Sequence, residues 1–417
     1  MKTTLQFFSV LTAFVCTMTA NAQWVQQSSG TSQNLGAIDC WNFQHCFAVG
    51  LNGTTRKTNN GGTTWVASNS FTIASMTSAK MLDTLTILLG KVNGNFHYST
   101  NGGSTWTPVF GGNSNYILAD IKFVNDSVGY SVGGSLIYSN SGQIITKTTN
   151  GGTAWTPQIN VSNQSTLLGI DCINDSTCIA VGGTKLILRT TDGGANWTTI
   201  NSDTALHSFY DVHFPSANIG YAVGGTVTNP TTVSFIYKTI NGGINWTPLT
   251  SPTTNSLYGC FFTSIDTGYV VGNAASIYKT TDGGISWTQQ TSPVTIELNK
   301  IYFTDSNTGY IVGNNGTILK TTNGGTSSLQ EISSQKFSTK VFPNPFSTVT
   351  TLQTDIILKS ATLTIYNLYG QTVKQIKNIS GQTVTLFRDN LSSGLYFIRL
   401  TQDNKIISAD KLVITDN

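Results

Sequence analysis

The chain has 417 residues, with 22 basic and 19 acidic side chains and a formal net charge of +3. This weak charge asymmetry excludes an extended nucleic-acid-binding surface, and the length allows a large core and more than one domain. Glycine is abundant, with 41 residues, and the runs of β-branched and aromatic residues are short, which favours an all-β fold.

The first 22 residues have the pattern of a secretory signal peptide. Lys2 supplies the positive end, residues 5–17 form an apolar stretch, and Ala20-Asn21-Ala22 is a small-x-small cleavage site. The apolar stretch is too short to span a bilayer, and the sequence predicts no transmembrane segment elsewhere. Export would place the mature chain in an oxidising compartment, where disulfides persist.

A glycine-containing box of eight residues occurs seven times between residues 58 and 328. The first glycines of the boxes are 41, 49, 42, 49, 41 and 41 residues apart. A repeat of this length, filled with short β-type runs and turns, predicts a β-propeller with one repeat per blade. We therefore expect a seven-bladed propeller over residues 23–328.

The residue types of each box suit a tight hairpin. An Asp or Asn is expected to hydrogen-bond the backbone two residues on, paired glycines permit positive φ, and a Trp packs on the sheet. A cation or sugar site at each box is the functional alternative, although the turn chemistry explains every residue type. The structural box residues are Asn60, Trp65, Asn101, Trp106, Asn150, Trp155, Asp192, Trp197, Asn241, Trp246, Asp282, Trp287, Asn323 and Trp24.

Trp24 is in this set because the seventh box lacks its own Trp and has Ser328 instead. The segment 24–28 resembles the segment 287–291, which follows the sixth box. The N-terminal segment is therefore predicted to be the outer strand of blade seven, which would close the ring and remove its open edges.

Two pairs of cysteines occupy equivalent places in two repeats. Four other repeats have Phe and Gly at these two positions, so the positions are expected to face each other across a hairpin. We predict the disulfides Cys40–Cys46 and Cys172–Cys178; a metal site near His45 or Asp39 is the alternative. Cys260 is left as a small buried hydrophobe, and no metal or cofactor is predicted.

Polar residues alternate with apolar residues along the predicted inner strands, which border the central channel. The weak catalytic candidates among them are Asp120, Asp171, Asp211 and His213, and the same parity carries Asp39, Lys122, Lys300 and Tyr302. Such a ring could form a ligand or catalytic pocket, or it could simply be a solvated channel lining.

Repeats three and five are longer between their second and third strands, near 135–145 and 226–233. These hairpins should project from the face opposite the boxes, and insertions gathered on one face often mark a binding face. The predicted binding-face residues are Ser135, Tyr138, Thr226 and Asn229; loop drift without function is the alternative.

The boxes resemble those of sialidases and of the photosystem II assembly and stability factor family, which implies a seven-bladed propeller over about 23–328. A sialidase would require an arginine triad, and the photosystem family is known for a basic arginine patch. The propeller holds only Arg56 and Arg189, so neither activity is expected. HExxH, GxSxG, P-loop and CxxC motifs are also absent from the sequence.

A polar linker is predicted at 329–340, and residues 341–417 read as a small antiparallel β-sandwich. The motif residues of this segment are Pro343, Asn344, Pro345, Gly370, Gly394 and Lys411. Their order resembles the type A C-terminal sorting domain of the type IX secretion system of Bacteroidetes. The resemblance implies recognition by an outer-membrane translocon, removal of the domain, and a secreted or cell-surface protein.

These features together predict a non-enzymatic binding or adhesion module for a glycan or protein partner. The alternative is a glycan-active hydrolase that uses channel aspartates, which would require paired carboxylates about 5–10 Å apart.

Overall fold

The computed structural model describes residues 23–68, 73–135, 142–162, 164–201, 207–226, 233–326, 339–368, 371–402 and 405–416. The chain divides into two compact units, 1–328 and 329–417. The predicted signal peptide lies outside the described residues. Within the described ranges, no helix combines the length and apolar character needed to cross a membrane.

The first unit contains seven antiparallel sheets, one for each repeat. The N-terminal strand is β1 (Val25–Gln27). Sheets one to three contain β2 (Leu35–Cys40), β3 (Cys46–Gly50), β4 (Thr55–Thr58); β5 (Met76–Met81), β6 (Ile87–Lys91), β7 (Asn95–Ser99), β8 (Thr107–Phe110); β9 (Ile117–Phe123), β10 (Gly129–Gly134), β11 (Gly142–Thr148) and β12 (Thr156–Ser162). A short 3-10 turn, Leu51–Gly53, follows β3.

Sheets four to seven repeat the same order of strands. They contain β13 (Leu167–Cys172), β14 (Cys178–Gly182), β15 (Ile187–Thr190), β16 (Thr198–Asn201); β17 (Ser208–His213), β18 (Gly220–Gly225), β19 (Ser234–Thr239), β20 (Thr247–Leu249); β21 (Leu257–Phe262), β22 (Gly268–Gly272), β23 (Ile277–Thr280), β24 (Thr288–Gln289); β25 (Leu298–Phe303), β26 (Gly309–Gly313) and β27 (Ile318–Thr321).

The seven sheets form a closed ring, as the seven-bladed prediction requires. The first strand of each sheet contacts the first strand of the next, and β25 of the last sheet contacts β2 of the first. These strands are therefore the inner strands around the channel. The ring is completed by β1, which pairs antiparallel with β27 so that Val25 faces Lys320. The N-terminal segment thus supplies the outer strand of blade seven.

The propeller core consists of clusters that join neighbouring blades. Trp24 is fully buried and packs edge-to-face against Tyr269 of blade six and Phe303 of blade seven, with ring centroids 6.4 and 5.9 Å away. Apolar residues of the inner and second strands fill the rest of each junction, because alternate side chains of a strand face the two neighbouring blades. Blade-to-blade burial therefore holds the ring together.

Both predicted disulfides are present, and each takes the place of a Phe–Gly contact. Cys40 pairs with Cys46 and Cys172 with Cys178 directly across the first hairpin of blades one and four. At the equivalent place in blade three, the ring of Phe123 lies over Gly129, where a Cβ would meet ring atoms at 2.8 Å. A large ring over glycine and a disulfide are thus two ways to close the same hairpin.

We expect the variant Cys172→Ser/Cys178→Ser to lose about 2 kcal/mol of unfolding free energy, because the disulfide closes a short loop. The variant Cys172→Phe/Cys178→Gly should lose less, since it installs the contact found in four other blades. Urea denaturation of both variants and the wild type measures this difference. Equal losses in the two variants would show that the Phe–Gly contact does not replace the disulfide.

The second unit is a small antiparallel β-domain whose five strands belong to one sheet. Its strands are β28 (Thr339–Phe342), β29 (Val349–Tyr366), β30 (Thr372–Phe387), β31 (Gly394–Gln402) and β32 (Lys405–Ile414). The long β29 pairs with β28, β30 and β31, and β31 pairs with β32. The first strand begins at Thr339, two residues before the predicted boundary at 341. The rest of the predicted linker lies outside the described residues.

The Pro-Asn-Pro motif attaches the start of this domain to its last strand. The Asn344 side chain donates to the Lys411 carbonyl and accepts from the Val413 amide, both at 2.8 Å. Pro343 accepts a hydrogen bond from Thr350 at 2.6 Å. Gly394 opens β31 with a φ of 153°, and Gly370 lies outside the described residues. The motif therefore joins the first residues of the domain to its last strand through hydrogen bonds.

Candidate functional site

The polar residues of the inner strands meet in the central channel, as their parity predicts. The cavity there has a volume of about 180 Å³. Its charged and aromatic lining comes from all seven inner strands and comprises Asp39, Lys80, Asp120, Lys122, Asp171, Asp211, His213, Phe261, Lys300 and Tyr302. The channel thus brings the four catalytic candidates together.

The channel carboxylates bind backbone amides of the neighbouring blade. Each aspartate reaches from its own inner strand to an N–H on the next one. The four contacts are Asp39 with Met81 at 2.7 Å, Asp120 with Ile170 at 3.2 Å, Asp171 with Phe214 at 2.7 Å and Asp211 with Cys260 at 3.0 Å. Since a buried amide without a partner is costly, these carboxylates act as struts between blades.

Three lysines neutralise the same carboxylates. Lys80 pairs with Asp39 at 2.9 Å, and Lys122 pairs with Asp171 at 2.7 Å. Lys300 lies 2.8 Å from Asp211 and 3.7 Å from Asp120, so it connects blade seven with blades five and three across the channel. Each buried carboxylate therefore has both an amide and an ammonium partner, as a buried charge requires.

The pKa shifts follow from burial and these ion pairs. Burial would lower the pKa of Lys300, but Asp120 and Asp211 together raise it above its usual value. Burial would raise the pKa of Asp171, yet Lys122 and then His213 hold it below its usual value. Burial raises the pKa of Asp120, and Lys300 offsets only part of that rise. At neutral pH, Asp171 and Lys300 are therefore charged.

His213 remains neutral in the folded protein. Its Nδ1 accepts from the Phe262 amide at 3.4 Å, and its ring lies against Phe261 with centroids 4.4 Å apart. Burial lowers the pKa of His213 to about 4, against the opposing effect of Asp171. The neutral imidazole therefore joins the inner strands of blades five and six through its bond to the Phe262 amide.

We expect the free energy of unfolding to fall by about 2–3 kcal/mol through His213 as the pH drops from 7.5 to 4.5. The unfolded imidazole takes up a proton near pH 6.5, whereas the folded one does so only near pH 4. The unfolded state therefore binds more protons in this window and gains stability. Urea denaturation at both pH values should show a smaller pH dependence for His213→Gln than for the wild type.

His97 provides the internal comparison for this titration. Burial lowers its pKa to about 4 as well, so His213→Gln should keep the share of the pH dependence that belongs to His97. An unchanged pH dependence in His213→Gln would contradict the assignment.

The predicted binding-face residues are only partly described, and those that are described are buried. Ser135 is 6% exposed and Thr226 is 4% exposed. They lie at the bases of the two longer hairpins, where Ser135 donates its amide to the Gly142 carbonyl and Thr226 does so to Val233. The two residues are therefore buried at the hairpin bases and offer little surface to a partner, contrary to the prediction. Tyr138 and Asn229 lie outside the described residues.

The boxes form the predicted hairpins, with one difference in their hydrogen bonds. In the first box, Asn60 accepts from the Thr64 amide four residues on, at 3.0 Å, where the sequence predicted a bond two residues on. The Thr58 hydroxyl instead accepts from the Gly62 amide at 2.8 Å and donates to Asn60. The Thr hydroxyl therefore closes the turn by binding the amide of the second glycine. The Asn or Asp side chain binds the amide of the residue before the Trp.

The side-chain oxygens of the box Asn and Asp residues accept hydrogen bonds from within the box. Asp192 and Asp282 are the only charged members at the Asn/Asp position, and hydrogen bonds from Asn196 and Ser286 lower the pKa of each to about 2. Within the described parts of the chain, no three His, Cys, Asp or Glu residues are grouped as metal ligands.

A contact that the sequence interpretation missed joins six of the seven boxes to the preceding blade. A Lys or Arg, one residue before the first Thr of a box, donates to the carbonyl of the first glycine in the next box. The pairs are Lys57–Gly102, Lys147–Gly193, Arg189–Gly242, Lys238–Gly283, Lys279–Gly324 and Lys320–Gly61, at 2.5–2.8 Å. The signal was visible as a basic residue before Thr in six of the seven repeats.

Comparison with protein families agrees with this architecture. A family model described as photosynthesis system II assembly factor YCF48 matches residues 104–257 and 241–356, which together span more than half of the chain. The chain belongs to the YCF48 family. Its YCF48-type propeller is therefore shown by both sequence and fold, although comparison with curated proteins gives no match.

Solved structures share the fold of this YCF48-family chain at low sequence identity. The structure of YCF48 bound to a D1 peptide is 17% identical, with a TM-score of 0.58 over 72% of this chain and 97% of that one. YCF48 from Cyanidioschyzon merolae is 18% identical, with a TM-score of 0.55 over 72% and 98%. A GH74 enzyme from Niastella koreensis is 14% identical, with a TM-score of 0.56 over 94% and 75%.

The second unit of this YCF48-family chain matches a different model. Residues 340–415 match the secretion system C-terminal sorting domain. The chain therefore combines a YCF48-type propeller with a sorting domain for type IX secretion, and this domain implies an interaction with that secretion machinery.

Proposed function

We propose that the propeller is a non-enzymatic binding or adhesion module for a glycan or protein, displayed outside the cell after type IX export. In this proposal residues 341–417 engage the outer-membrane translocon and are then removed. The mature propeller would remain at the cell surface or in the medium.

The main support for a non-enzymatic role is that the channel carboxylates are already bound to groups of the protein itself. Asp39, Asp120, Asp171 and Asp211 each accept a hydrogen bond from a backbone amide and form an ion pair with a lysine. A nucleophile or general base needs a lone pair that can reach the substrate, and these oxygens are used between blades.

An assembly role like that named for the YCF48 family is not part of the proposal. Both propeller arginines are used internally: Arg56 donates to the carbonyls of Ser29, Thr55 and Gly30, and Arg189 donates to Gly242. A basic patch built from arginine, which the family resemblance would require, therefore has no side chains to form it.

The full mature chain, tested against polysaccharides by thermal shift and product release, distinguishes the functions. A ligand at a hundred times its dissociation constant should stabilise the propeller by about 2.7 kcal/mol. A shift without products supports a glycan-binding module. Products would overturn the non-enzymatic proposal, and no shift would direct the search to protein partners.

The partner is predicted to bind the face that carries the two longer hairpins. Shortening these hairpins tests this prediction. Residues 136–141 and 227–232 would each be replaced by an Asn-Gly turn, which suits a two-residue hairpin. Loss of binding at an unchanged melting temperature would support this face. Unchanged binding would place the partner elsewhere.

A glycan hydrolase remains the second candidate because of Asp120 and Asp211. Both contact Lys300, so their oxygens are no farther apart than the sum of the two contacts, which is below the upper limit of about 10 Å for glycosidase carboxylates. The raised pKa of Asp120 would also suit a general acid. Product release that disappears in Asp120→Asn and in Asp211→Asn, with folding intact, would establish this function.

A further inference from the structure

Two aromatic side chains are exposed on one short turn of blade one, on the face that carries the boxes. Trp41 is 49% exposed and Phe43 is 57% exposed. They lie in the turn between β2 and β3, where the other blades have residues such as Thr84, Asp126 and Ser306 in place of Phe43. Two large rings exposed two residues apart on one turn offer apolar surface to a ligand.

The turn that presents these rings is held at both ends and in the middle. The Cys40–Cys46 disulfide closes it, and the Asn42 side chain accepts from the amides of Gln44 and His45 at 2.9 Å. Tyr310 of blade seven donates to the Phe43 carbonyl at 3.2 Å. The rings are therefore presented by a rigid backbone, which lowers the entropy cost of binding.

A cavity of about 280 Å³ opens beside this turn, between blades one and two. Its lining includes His45, Lys57, Asn59, Thr84, Leu85 and Asn101. At the junction of blades seven and one, the hydroxyl of Tyr310 donates to the Phe43 carbonyl. Blade one has Phe47 at the position of that tyrosine, so no hydroxyl at this position bonds to the turn of blade two.

Strand alternation places Trp41 on the side of its hairpin that faces blade two. Its equivalents Leu82, Val124 and Ile173 pack at the junctions with their following blades. Trp41 also pairs with His45, because its amide donates to the His45 carbonyl at 3.0 Å, and His45 lines the cavity. The backbone of Trp41 is therefore bonded to a residue of the cavity lining, which presents an imidazole and side-chain amides.

We propose that this cavity and the rings of Trp41 and Phe43 form a binding site for a neutral sugar chain. This site rests on the proposed binding function. The C–H face of a pyranose packs on an aromatic ring as apolar surface, while its hydroxyls need donors and acceptors. Asn59 is exposed, and the described residues give its amide no partner. No acidic residue lines the cavity, and Lys57 already donates to Gly102, so no charged ligand is required.

The small size of the apolar surface favours a sugar over a protein partner. The two rings alternate with Asn42 and Gln44 along the turn, so they form two separate platforms. A stable protein interface buries about 800 Å² on each partner around an apolar centre. One sugar unit per ring, with one unit reaching the cavity, matches the scale of the site better.

The full mature chain, titrated with cellohexaose, xylohexaose and mannohexaose, tests the site. Calorimetry should show binding of at least one hexamer, and Trp41→Ala/Phe43→Ala should weaken it at least tenfold. Ile285→Ala, a control at an exposed residue of the same face in blade six, should bind like the wild type. Trp41→Phe should keep binding within about threefold, yet lose most of the ligand-induced change in tryptophan fluorescence.

The outcomes separate this site from the proposed function. Binding that is equal in the wild type and in Trp41→Ala/Phe43→Ala would overturn the site and leave the binding function in place. No binding of any hexamer at millimolar concentration would overturn the sugar assignment. Capture of a protein partner that depends on Trp41 would replace the sugar by a protein ligand.

Discussion

Truncation of Trp24 to alanine should lower the free energy of unfolding of the propeller by about 3–5 kcal/mol, the usual cost of deleting a buried Trp side chain. Trp24 is fully buried at the junction of blades six and seven, where it contacts Tyr269 and Phe303. The variant also weakens the attachment of β1, the one strand that joins the two ends of the ring. Denaturation followed by tryptophan fluorescence measures the loss.

Trp41→Ala is the matched control for this measurement. All eight tryptophans lie between residues 24 and 287, so their fluorescence reports the propeller and not the sorting domain. Trp41 is half exposed, and its removal should change stability by no more than about 0.5 kcal/mol. Similar losses in the two variants would contradict a special role of Trp24 in closing the ring.

Replacement of Lys300 by methionine should cost about 3–5 kcal/mol, because it leaves two buried carboxylates without their shared cation. Lys300 lies 2.8 Å from Asp211 and 3.7 Å from Asp120. The raised pKa of Lys300 means that this contribution is complete below about pH 10.5 and is lost as the pH rises above that value. Denaturation of the wild type and of Lys300→Met at pH 7.5 measures it.

The triple variant Lys300→Met/Asp120→Asn/Asp211→Asn separates charge from packing. Removal of both carboxylate charges together with the cation should recover much of the loss, because the amides of Ile170 and Cys260 keep an acceptor in the Asn side chain. A Lys300→Met variant as stable as the wild type would show that water, and not Lys300, stabilises the carboxylates of Asp120 and Asp211.

The periodic parts of the fold could be predicted from the sequence. The box spacing predicted seven blades, the likeness of 24–28 to 287–291 predicted the strand exchange, and the Phe–Gly positions predicted both disulfides. In each case a repeat supplied internal copies, and the differences between copies indicated spatial neighbours. The sorting domain was predicted from motif order, although its first strand begins at Thr339.

The partners of the channel residues could not be predicted in the same way. Alternation along a strand gives the side that a residue faces, but Lys300 meets Asp120 from a blade that is not its neighbour. The aspartates join neighbouring blades by binding backbone amides. Every non-proline residue has such an amide, so the sequence does not show which amides are bound. Ser135 and Thr226 were placed on a surface by loop length alone, whereas hydrogen bonds at the hairpin bases bury them.

The pairing of Val25 with Lys320 also sets the order in which the propeller can fold. The two partners of the final strand pair are separated by nearly the whole propeller sequence, so their meeting carries a large loop-closure entropy. Blades one to six need only neighbouring segments and can form as the chain becomes available. Ring closure must wait for the seventh repeat, so we expect it to be the slow, late step, governed by sequence separation and not by local turn formation.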